Sequence, residues 1–371
     1  MRIVLSGGGT AGHINPALAL AEVLRDRGVD VEYAGTPQGV EARLVPQAGV
    51  PFRGFEASGF NRTRPTTIVK GVLKIMRSTK QAKRWFEEIK PDAVVGFGGY
   101  VSIPVARAAL ALGIPVIIHE QNSVMGMANK YLAKRAQAVC LTYEHSASAV
   151  ADKSKIHLTG NPVRSSVLRA SRESGRAMFD MRDGESMLLV FGGSLGARHI
   201  NEAIAGMKDE LLDRSDLHVV HITGPKEFDR VSAELALTPE QQKRWHVLGY
   251  QDRMGENLAA ADAIVSRAGA TSLAEISALA IPALLVPYPH ATEDHQTTNA
   301  QAYVGAGCAF MMPDADLAGE EFKEKVRTLI DDAEVRASMT EAARAQKTAD
   351  AAAVLADVVL ESAHKHAHAL Q

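Results

Sequence analysis

The sequence has few of the residues that would mark a secreted or membrane-spanning protein. Only two of its 371 residues are cysteine, Cys140 and Cys308, too few for a disulfide framework, which predicts a reducing compartment. No apolar run is long enough to cross a bilayer. The glycines from Gly7 to Gly9 interrupt the first apolar run too early for a signal peptide. We therefore expect neither a transmembrane helix nor a secretion signal.

Aromatic residues and long blocks of like charge are also scarce. Aromatics make up 5% of the chain, so platforms for stacking nucleic-acid bases are not expected. The net charge of −2 hides an asymmetry between the two halves. Residues 1–161 carry 20 Lys and Arg against 12 Asp and Glu, a net of +8, and the remainder has a net of −10. We expect the basic half to meet an anionic partner or surface.

A glycine-rich loop near the start of the chain joins an apolar run to a helical pattern. Ile3-Val4-Leu5 precedes it, and apolar residues after Pro16 recur at helical spacing. Because helix N-termini offer unpaired amides, the loop is a candidate phosphate cradle. Its Gly7-x-Gly9-x-x-Gly12 spacing, with Glu32 about 20 residues on, also matches a dinucleotide fingerprint. A turn that only packs a helix on a sheet is the third alternative.

The same pattern of strand, glycine loop and helix returns in the second half of the chain. Met187 to Phe191 leads into Gly192-Gly193-Ser194-Leu195-Gly196, followed by a helical stretch. Strands and helices alternate throughout, which predicts an α/β protein with two doubly wound parallel-sheet domains in tandem. We expect these domains at 1–161 and 164–345, with a C-terminal helix and tail at 346–371 packing back toward the first. A nicotinamide enzyme does not require the second loop, which weakens that alternative.

A basic amphipathic segment spans residues 62–90. Nine Lys and Arg residues alternate there with apolar residues that include Ile75, Trp85 and Phe86. Such a segment could lie on an anionic membrane surface, or it could be a core-facing helix with a solvated basic face.

Two stretches of the second half are candidate nucleotide contacts. In Arg267 to Glu275, Glu275 could accept two ribose hydroxyls, or Ser272 and Glu275 could form a capping box. In the stretch 287–300, His290, Glu293, Asp294 and His295 resemble a metal cluster, but no second group completes it, and we expect no metal. We expect the histidines at 364, 366 and 368 to lie in a solvated or disordered tail.

Seven motifs, in order and spacing, resemble the MurG family of peptidoglycan glycosyltransferases over nearly the whole chain. Each motif is weak alone, but the ordered set is highly specific. Ala11 stands where many members have Gly. The motifs are Gly8-Gly9-Thr10-x-Gly12-His13-x-x-Pro16, Gly98-Gly99-Tyr100-Val101-Ser102, His119-Glu120-Gln121-Asn122, Gly160-Asn161-Pro162-Val163-Arg164, Gly192-Gly193-Ser194-x-Gly196-Ala197-Arg198, Arg267-x-Gly269-Ala270-Thr271 with Glu275, and His295-Gln296-x-x-Asn299-Ala300.

The resemblance implies a GT-B fold, in which two Rossmann-like domains face a cleft. It implies an inverting transfer of N-acetylglucosamine from UDP-N-acetylglucosamine to the muramyl 4-hydroxyl of lipid I, giving lipid II. No cofactor or metal is required. The implied partners are lipid I, an anionic membrane surface at residues 62–90 and proteins of cell-wall synthesis and division. The implied location is peripheral, at the cytoplasmic face of the cell membrane.

The resemblance also assigns residues to roles in each domain. In the first domain, Gly98, Gly99, Tyr100 and Ser102 would meet the acceptor diphosphate. The donor would be held by Thr10, Ala11, Gly12, Asn122, Arg164, Ser194, Gln251, Ala270, Thr271, Ser272, Leu273, Ala274, Glu275 and Gln296, with Gln251 matched only loosely.

His13 is the candidate catalytic base. Imidazole titrates near neutral pH, so it can take the proton from an attacking hydroxyl. The alternative is a histidine that caps local backbone or binds phosphate as a cation. Two other functions stay open at this point, a nicotinamide oxidoreductase and a catalytically silent UDP-sugar-binding protein.

Overall fold

The computed structural model describes residues 1–57, 65–193, 196–346 and 350–369. The chain divides into two compact units, one of Met1–Arg164 with Thr348–Gln371 and one of Ser165–Lys347. These limits lie within a few residues of the expected 1–161 and 164–345, and they assign Arg164 and the last helix to the first unit. In the described part of the chain, no helix is both long and apolar enough to cross a membrane.

The first unit is built on a parallel sheet of seven strands in the order β3-β2-β1-β4-β5-β6-β7. Its strands are β1 (Arg2–Ser6), β2 (Asp30–Gly35), β3 (Phe52–Gly54), β4 (Ala93–Gly96), β5 (Val116–Glu120), β6 (Ala138–Leu141) and β7 (Ile156–Leu158). Its helices are α1 (Ala11–Asp26), α2 (Glu41–Gln47), α3 (Pro65–Ile89), α4 (Ser102–Ala111) and α5 (Met127–Ala133), with 3-10 turns at Glu144–Ala149 and Lys153–Lys155.

The second unit repeats this topology with a parallel sheet of six strands in the order β10-β9-β8-β11-β12-β13. Its strands are β8 (Ser186–Phe191), β9 (Leu217–Ile222), β10 (Trp245–Leu248), β11 (Ala263–Ser266), β12 (Ala283–Leu285) and β13 (Ala309–Met311). Its helices are α6 (Ser165–Leu168), α7 (Arg172–Ala177), α8 (Arg198–Ala205), α9 (Lys208–Leu212), α10 (Phe228–Leu235), α11 (Met254–Ala260), α12 (Ala270–Leu279), α13 (His295–Gly305), α14 (Glu320–Asp331) and α15 (Ala333–Ala345), with 3-10 turns at Gln241–Lys243, Thr292–Asp294 and Asp314–Asp316.

Alternation along the strands creates one core on each face of the first sheet. In β1, Ile3 and Leu5 pack with α1 on one face, and Val4 packs with α3 and α4 on the other. The last helix, α16 (Ala351–Ala369), belongs to the first of these cores through Leu355 and Val359. It runs through the C-terminal histidines, so this segment is helical rather than disordered. His364 is exposed, as the solvated alternative expects.

The segment predicted to lie on a membrane forms α3, and its aromatic residues are in the core. Trp85 and Phe86 are 5% and 1% exposed and pack on the sheet, and Ile75 is also buried. The prediction that Ile75, Trp85 and Phe86 are available to a membrane surface was therefore wrong. Residues 62–64 and the side chains of 65–70 lie outside what the structure describes.

Candidate active site

The glycine loop of the first unit lies at the switch point of its sheet, where strand order reverses between β1 and β4. The loops after these neighbouring strands touch each other. A Cβ on Gly99, whose φ is +79°, would lie 2.5 Å from the Gly8 carbonyl oxygen. Because no side chain fits there, glycine is required for the two loops to meet. This contact joins the loop that precedes His13 to the predicted acceptor-diphosphate loop.

His13, in the first turn of α1, is held in one tautomer by the backbone of the preceding glycine loop. Its Nδ1 lies 2.9 Å from the Gly8 carbonyl oxygen. A carbonyl only accepts hydrogen bonds, so Nδ1 carries the proton and Nε2 is the basic nitrogen of the neutral ring. A Cβ built at Gly98 would lie 3.1 Å from that Nε2. His13 therefore directs its basic nitrogen toward the loop after β4.

Buried hydroxyl groups fix the shape of both loops. The Tyr33 hydroxyl donates to the Gly7 carbonyl at 3.0 Å. The Ser102 hydroxyl donates to the Gly98 carbonyl at 2.7 Å and also lies 3.1 Å from the Ser6 carbonyl oxygen. Ser102 has no exposed surface, so its hydroxyl shapes the loop that would meet the acceptor. Tyr100, in the same loop, is half-buried.

The carboxyl end of β5 carries a hydrogen-bonded polar network. The Glu120 carboxylate accepts from the backbone and side-chain nitrogens of Asn122 and from Asn129 Nδ2. His119 donates from Nε2 to the Gly160 carbonyl and accepts at Nδ1 from Gln121. Burial lowers the pKa of His119 to about 4, so its ring is neutral at physiological pH. Asn122, the predicted donor contact, is oriented by this network.

The geometry of the first unit argues against a dinucleotide site. The acid that binds a ribose should lie beyond the carboxyl end of β2. Glu32 instead lies within β2, paired with Val4, and its carboxylate is 3.6 Å from the Arg2 guanidinium. It is engaged near the opposite end of the sheet.

The donor residues predicted in the second unit follow the equivalent strands of its sheet. β8 and β11 are neighbours at the switch point, and α8 and α12 begin just after them. Both helix N-termini thus lie at the edge where an anionic ligand binds. Ser194 falls outside the described residues. The N-cap of α12 is Gly269 rather than Ser272, so the capping-box alternative for Glu275 was wrong.

Arg267 ties together the loops after three strands of the second unit. Its guanidinium lies 2.5 Å from Asp314, donates to the Pro287 carbonyl at 3.0 Å and lies 5.5 Å from the centre of the Tyr288 ring. Asp314 also contacts His199 Nδ1 at 2.5 Å. The cluster therefore links the first turn of α8 to the loops after β11, β12 and β13.

The remaining predicted donor residues lie on the same edge with varied exposure. Gln296 accepts from the Tyr288 backbone at 2.9 Å, and Gln251 accepts from the Arg253 backbone at 3.0 Å. Leu273 is 2% exposed, so only its backbone could meet a nucleotide. Ala270 and Glu275 are buried, and Thr271, Ser272 and Ala274 are half-buried.

Known proteins share both units and their order. Residues 3–141 match the glycosyltransferase family 28 N-terminal domain, and residues 187–355 match the C-terminal domain of that family. The chain is 39% identical over 363 residues to the UDP-N-acetylglucosamine–N-acetylmuramyl-(pentapeptide) pyrophosphoryl-undecaprenol N-acetylglucosamine transferase of Bacillus subtilis, covering 97% of this chain and 99% of that one. The enzyme of the same name from Halothermothrix orenii is 40% identical, with 90% and 91% covered. The crystal structure of Acinetobacter baumannii MurG superposes with a TM-score of 0.74 at 29% identity, covering 97% of this chain and 99% of that one.

The chain belongs to the MurG family. It therefore has the GT-B class of fold, with two Rossmann-like units, and it is a glycosyltransferase. This membership removes the nicotinamide oxidoreductase that the first glycine loop left open.

One residue with a predicted MurG-family role is engaged elsewhere in this structure. Arg164, expected at the donor diphosphate, lies 2.5 Å from the Glu22 carboxylate of α1 within the first unit. Its role at the diphosphate stays a prediction, because reaching a phosphate would require this ion pair to open.

Sequence patterns did not single out Asp314 or His199 as parts of this MurG-type donor edge, whereas Tyr288 lies in the candidate stretch 287–300. Asp314 follows β13, a strand of three residues at the sheet edge that periodicity did not reveal.

In the described part of the chain no cluster of three or more His, Cys, Asp or Glu side chains could hold a metal ion.

Proposed function

We propose that this protein transfers N-acetylglucosamine from UDP-N-acetylglucosamine to the 4-hydroxyl of the muramyl sugar of lipid I, with inversion, giving lipid II. The named relatives act as N-acetylglucosamine transferases on the undecaprenol-linked muramyl pentapeptide. The observation within this chain that carries the proposal is the basic Nε2 of His13 at the switch point of the first sheet.

The proposed reaction requires a base and a way to stabilise the leaving group. The acceptor oxygen forms a bond to C1 of the donor sugar as the C1–oxygen bond to UDP breaks. The hydroxyl proton passes to His13 Nε2, and the electron pair leaves with UDP. In this proposal the amides at the start of α8 and α12 stabilise the negative charge on UDP, and no metal is required.

The decisive experiment measures UDP release with a soluble lipid I analogue and a panel of UDP-sugars. We expect release only with UDP-N-acetylglucosamine. We expect His13→Ala to lower kcat by roughly 10²- to 10⁴-fold with little change in UDP affinity. His145→Ala, at an exposed residue of the same unit, is the control. Donor binding without UDP release would instead indicate a catalytically silent UDP-sugar-binding protein. Near-normal turnover by the His13→Ala variant would exclude His13 as the base.

The exposed face of α3 supports a second part of the proposal, peripheral attachment at the cytoplasmic face of the membrane. Val72, Leu73 and Met76 are exposed by 44%, 60% and 60%. The exposed basic side chains Lys74, Arg77, Lys80, Lys83 and Arg84 share the helix with them. A helix that exposes both apolar and basic side chains suits the surface of an anionic bilayer, where lipid I resides.

Vesicle co-sedimentation tests this attachment. Leu73→Ser with Met76→Ser should reduce binding to anionic vesicles, and salt should weaken binding of the wild type. Leu158→Ser, at an exposed apolar residue on β7, is the matched control. Vesicle binding that changes neither with salt concentration nor with anionic lipid content would contradict the proposal.

A further inference from the structure

A buried carboxylate lies against the glycine loop of the first unit. Glu41, the first residue of α2, has no exposed surface. Its Oε1 accepts from the Thr36 backbone nitrogen at 2.8 Å, and its Oε2 accepts from the Gly9 backbone nitrogen at 3.3 Å. Burying a carboxylate is unfavourable unless hydrogen bonds replace its water. The side chain is therefore tied to the loop it lies against.

The backbone around Glu41 is shaped to admit it. A Cβ on Gly8 would lie 2.2 Å from Glu41 Oε1, and one on Gly39 would lie 2.3 Å from Oε2. A Cβ on Gly35 would lie 2.6 Å from Glu41 Cγ. Glycine at all three positions leaves room for the carboxylate.

The carboxylate accepts a hydrogen bond from a backbone amide that, in a phosphate-binding loop, would donate to the ligand. In such a cradle, glycine-loop amides point at phosphate oxygens. Here the Gly9 amide donates to Glu41 instead, and the resident negative charge opposes a second anion at that amide. The first loop thus differs from a nucleotide-phosphate loop even though its glycine spacing is similar.

The same loop orients His13. The Gly8 carbonyl that accepts from His13 Nδ1 precedes the Gly9 amide that donates to Glu41. Glu41 and His13 therefore act on one short piece of backbone from its two sides.

We propose that Glu41 is a positioning residue, which fixes the backbone of Gly8 and Gly9 so that the Gly8 carbonyl holds His13 in its Nδ1-protonated tautomer. The inference rests on the proposed function, because it assigns His13 as the base. It predicts a defect in the chemical step rather than in UDP binding, since the predicted UDP-binding residues of the second unit are left unchanged.

The first test is kinetic and uses Glu41→Gln, which has nearly the same shape but can accept from only one of the two backbone nitrogens. We expect kcat to fall roughly 10- to 100-fold, because a misplaced catalytic group loses its attack geometry. UDP affinity should stay unchanged, because the residues predicted to hold the nucleotide lie in the second unit. Glu144→Gln makes the same substitution at an exposed residue of the same unit and should match the wild type.

A double variant separates positioning from a general structural role. If Glu41 acts through His13, the variant with both Glu41→Gln and His13→Ala should be no slower than His13→Ala alone. Multiplicative losses, or normal kcat in Glu41→Gln, would overturn the inference. If Glu41→Gln does not fold, Gly8→Ala serves instead, since its Cβ displaces the carboxylate.

A spectroscopic readout keeps the inference testable without activity. Nitrogen NMR of the histidine side chains, with the His13 signals assigned from His13→Ala, should show the Nδ1-protonated form in the wild type. Glu41→Gln should raise the Nε2-protonated fraction. An unchanged tautomer would overturn the inference even in an active enzyme. A shifted tautomer in a protein that transfers no sugar would support it while the proposed function failed.

Discussion

Acidification should destabilise the second unit through a histidine buried without a counter-charge. His221 has no exposed surface, and burial lowers its pKa from the ordinary 6.5 to about 3. Asn201 donates from Nδ2 to the Thr223 carbonyl, so its Oδ1 accepts from His221 Nε2 at 3.0 Å. The proton taken up at low pH would go to Nδ1, which has no hydrogen-bond partner among the described residues.

The lowered pKa gives both the sign and the size of the effect. Stability from the neutral ring is fully present above pH 6.5, the pKa of the unfolded chain, and is lost as the pH falls toward 3. Between about pH 7.5 and 5, the unfolded state takes up nearly one proton that the native state does not. The free energy of unfolding should therefore fall by about 2 kcal/mol through His221 alone.

The two tryptophans allow each unit to be followed separately. Trp85 lies in the first unit, and Trp245 lies in the second, with its ring centre 6.3 Å from that of His221. In a Trp85→Phe background, the fluorescence of Trp245 reports urea unfolding of the second unit at each pH.

His221→Gln should remove about 2 kcal/mol of the acid-induced loss. His145→Gln, at an exposed histidine, should remove none of it. An acid-induced loss of equal size in His221→Gln and the wild type would refute the reasoning.

Three further predictions concern the loops that form the site. Gly99→Ala should lower kcat at least 10-fold with unchanged UDP affinity, because the new Cβ would lie 2.5 Å from the Gly8 carbonyl oxygen. The control is Gly113→Ala, which is also at positive φ but in open space and should lower stability without lowering kcat. Asp314→Asn should destabilise the second unit by about 3 kcal/mol in urea unfolding, because it leaves the Arg267 guanidinium buried without its carboxylate. Asp331→Asn removes a more exposed ion pair, and an equal loss of stability there would contradict the role of burial. Glu275→Gln should weaken UDP binding in calorimetry if its carboxylate holds the ribose, and unchanged affinity would exclude that role.

The sequence alone was sufficient to predict the class of fold and the family. Strand, glycine loop and helix are local patterns set by apolar periodicity and by glycine, so their recurrence in the second half predicted two doubly wound units. The seven ordered motifs indicated the MurG family, and the relatives confirmed it. Sequence patterns did not reveal β3 and β13, two strands of three residues each at a sheet edge.

Only the tertiary structure decided what each side chain of the site touches. The pattern of α3 could not show which of its apolar side chains are covered: Trp85 is in the core, while Met76 is exposed. Periodicity likewise could not predict the hydrogen bond between Glu41 and Gly9, since these residues are 32 positions apart and their contact depends on how β2 and α2 pack beside β1. The tautomer of His13 follows from one carbonyl of a folded loop. Sequence determines local conformation and family, whereas hydrogen bonds between distant segments determine which atoms can react.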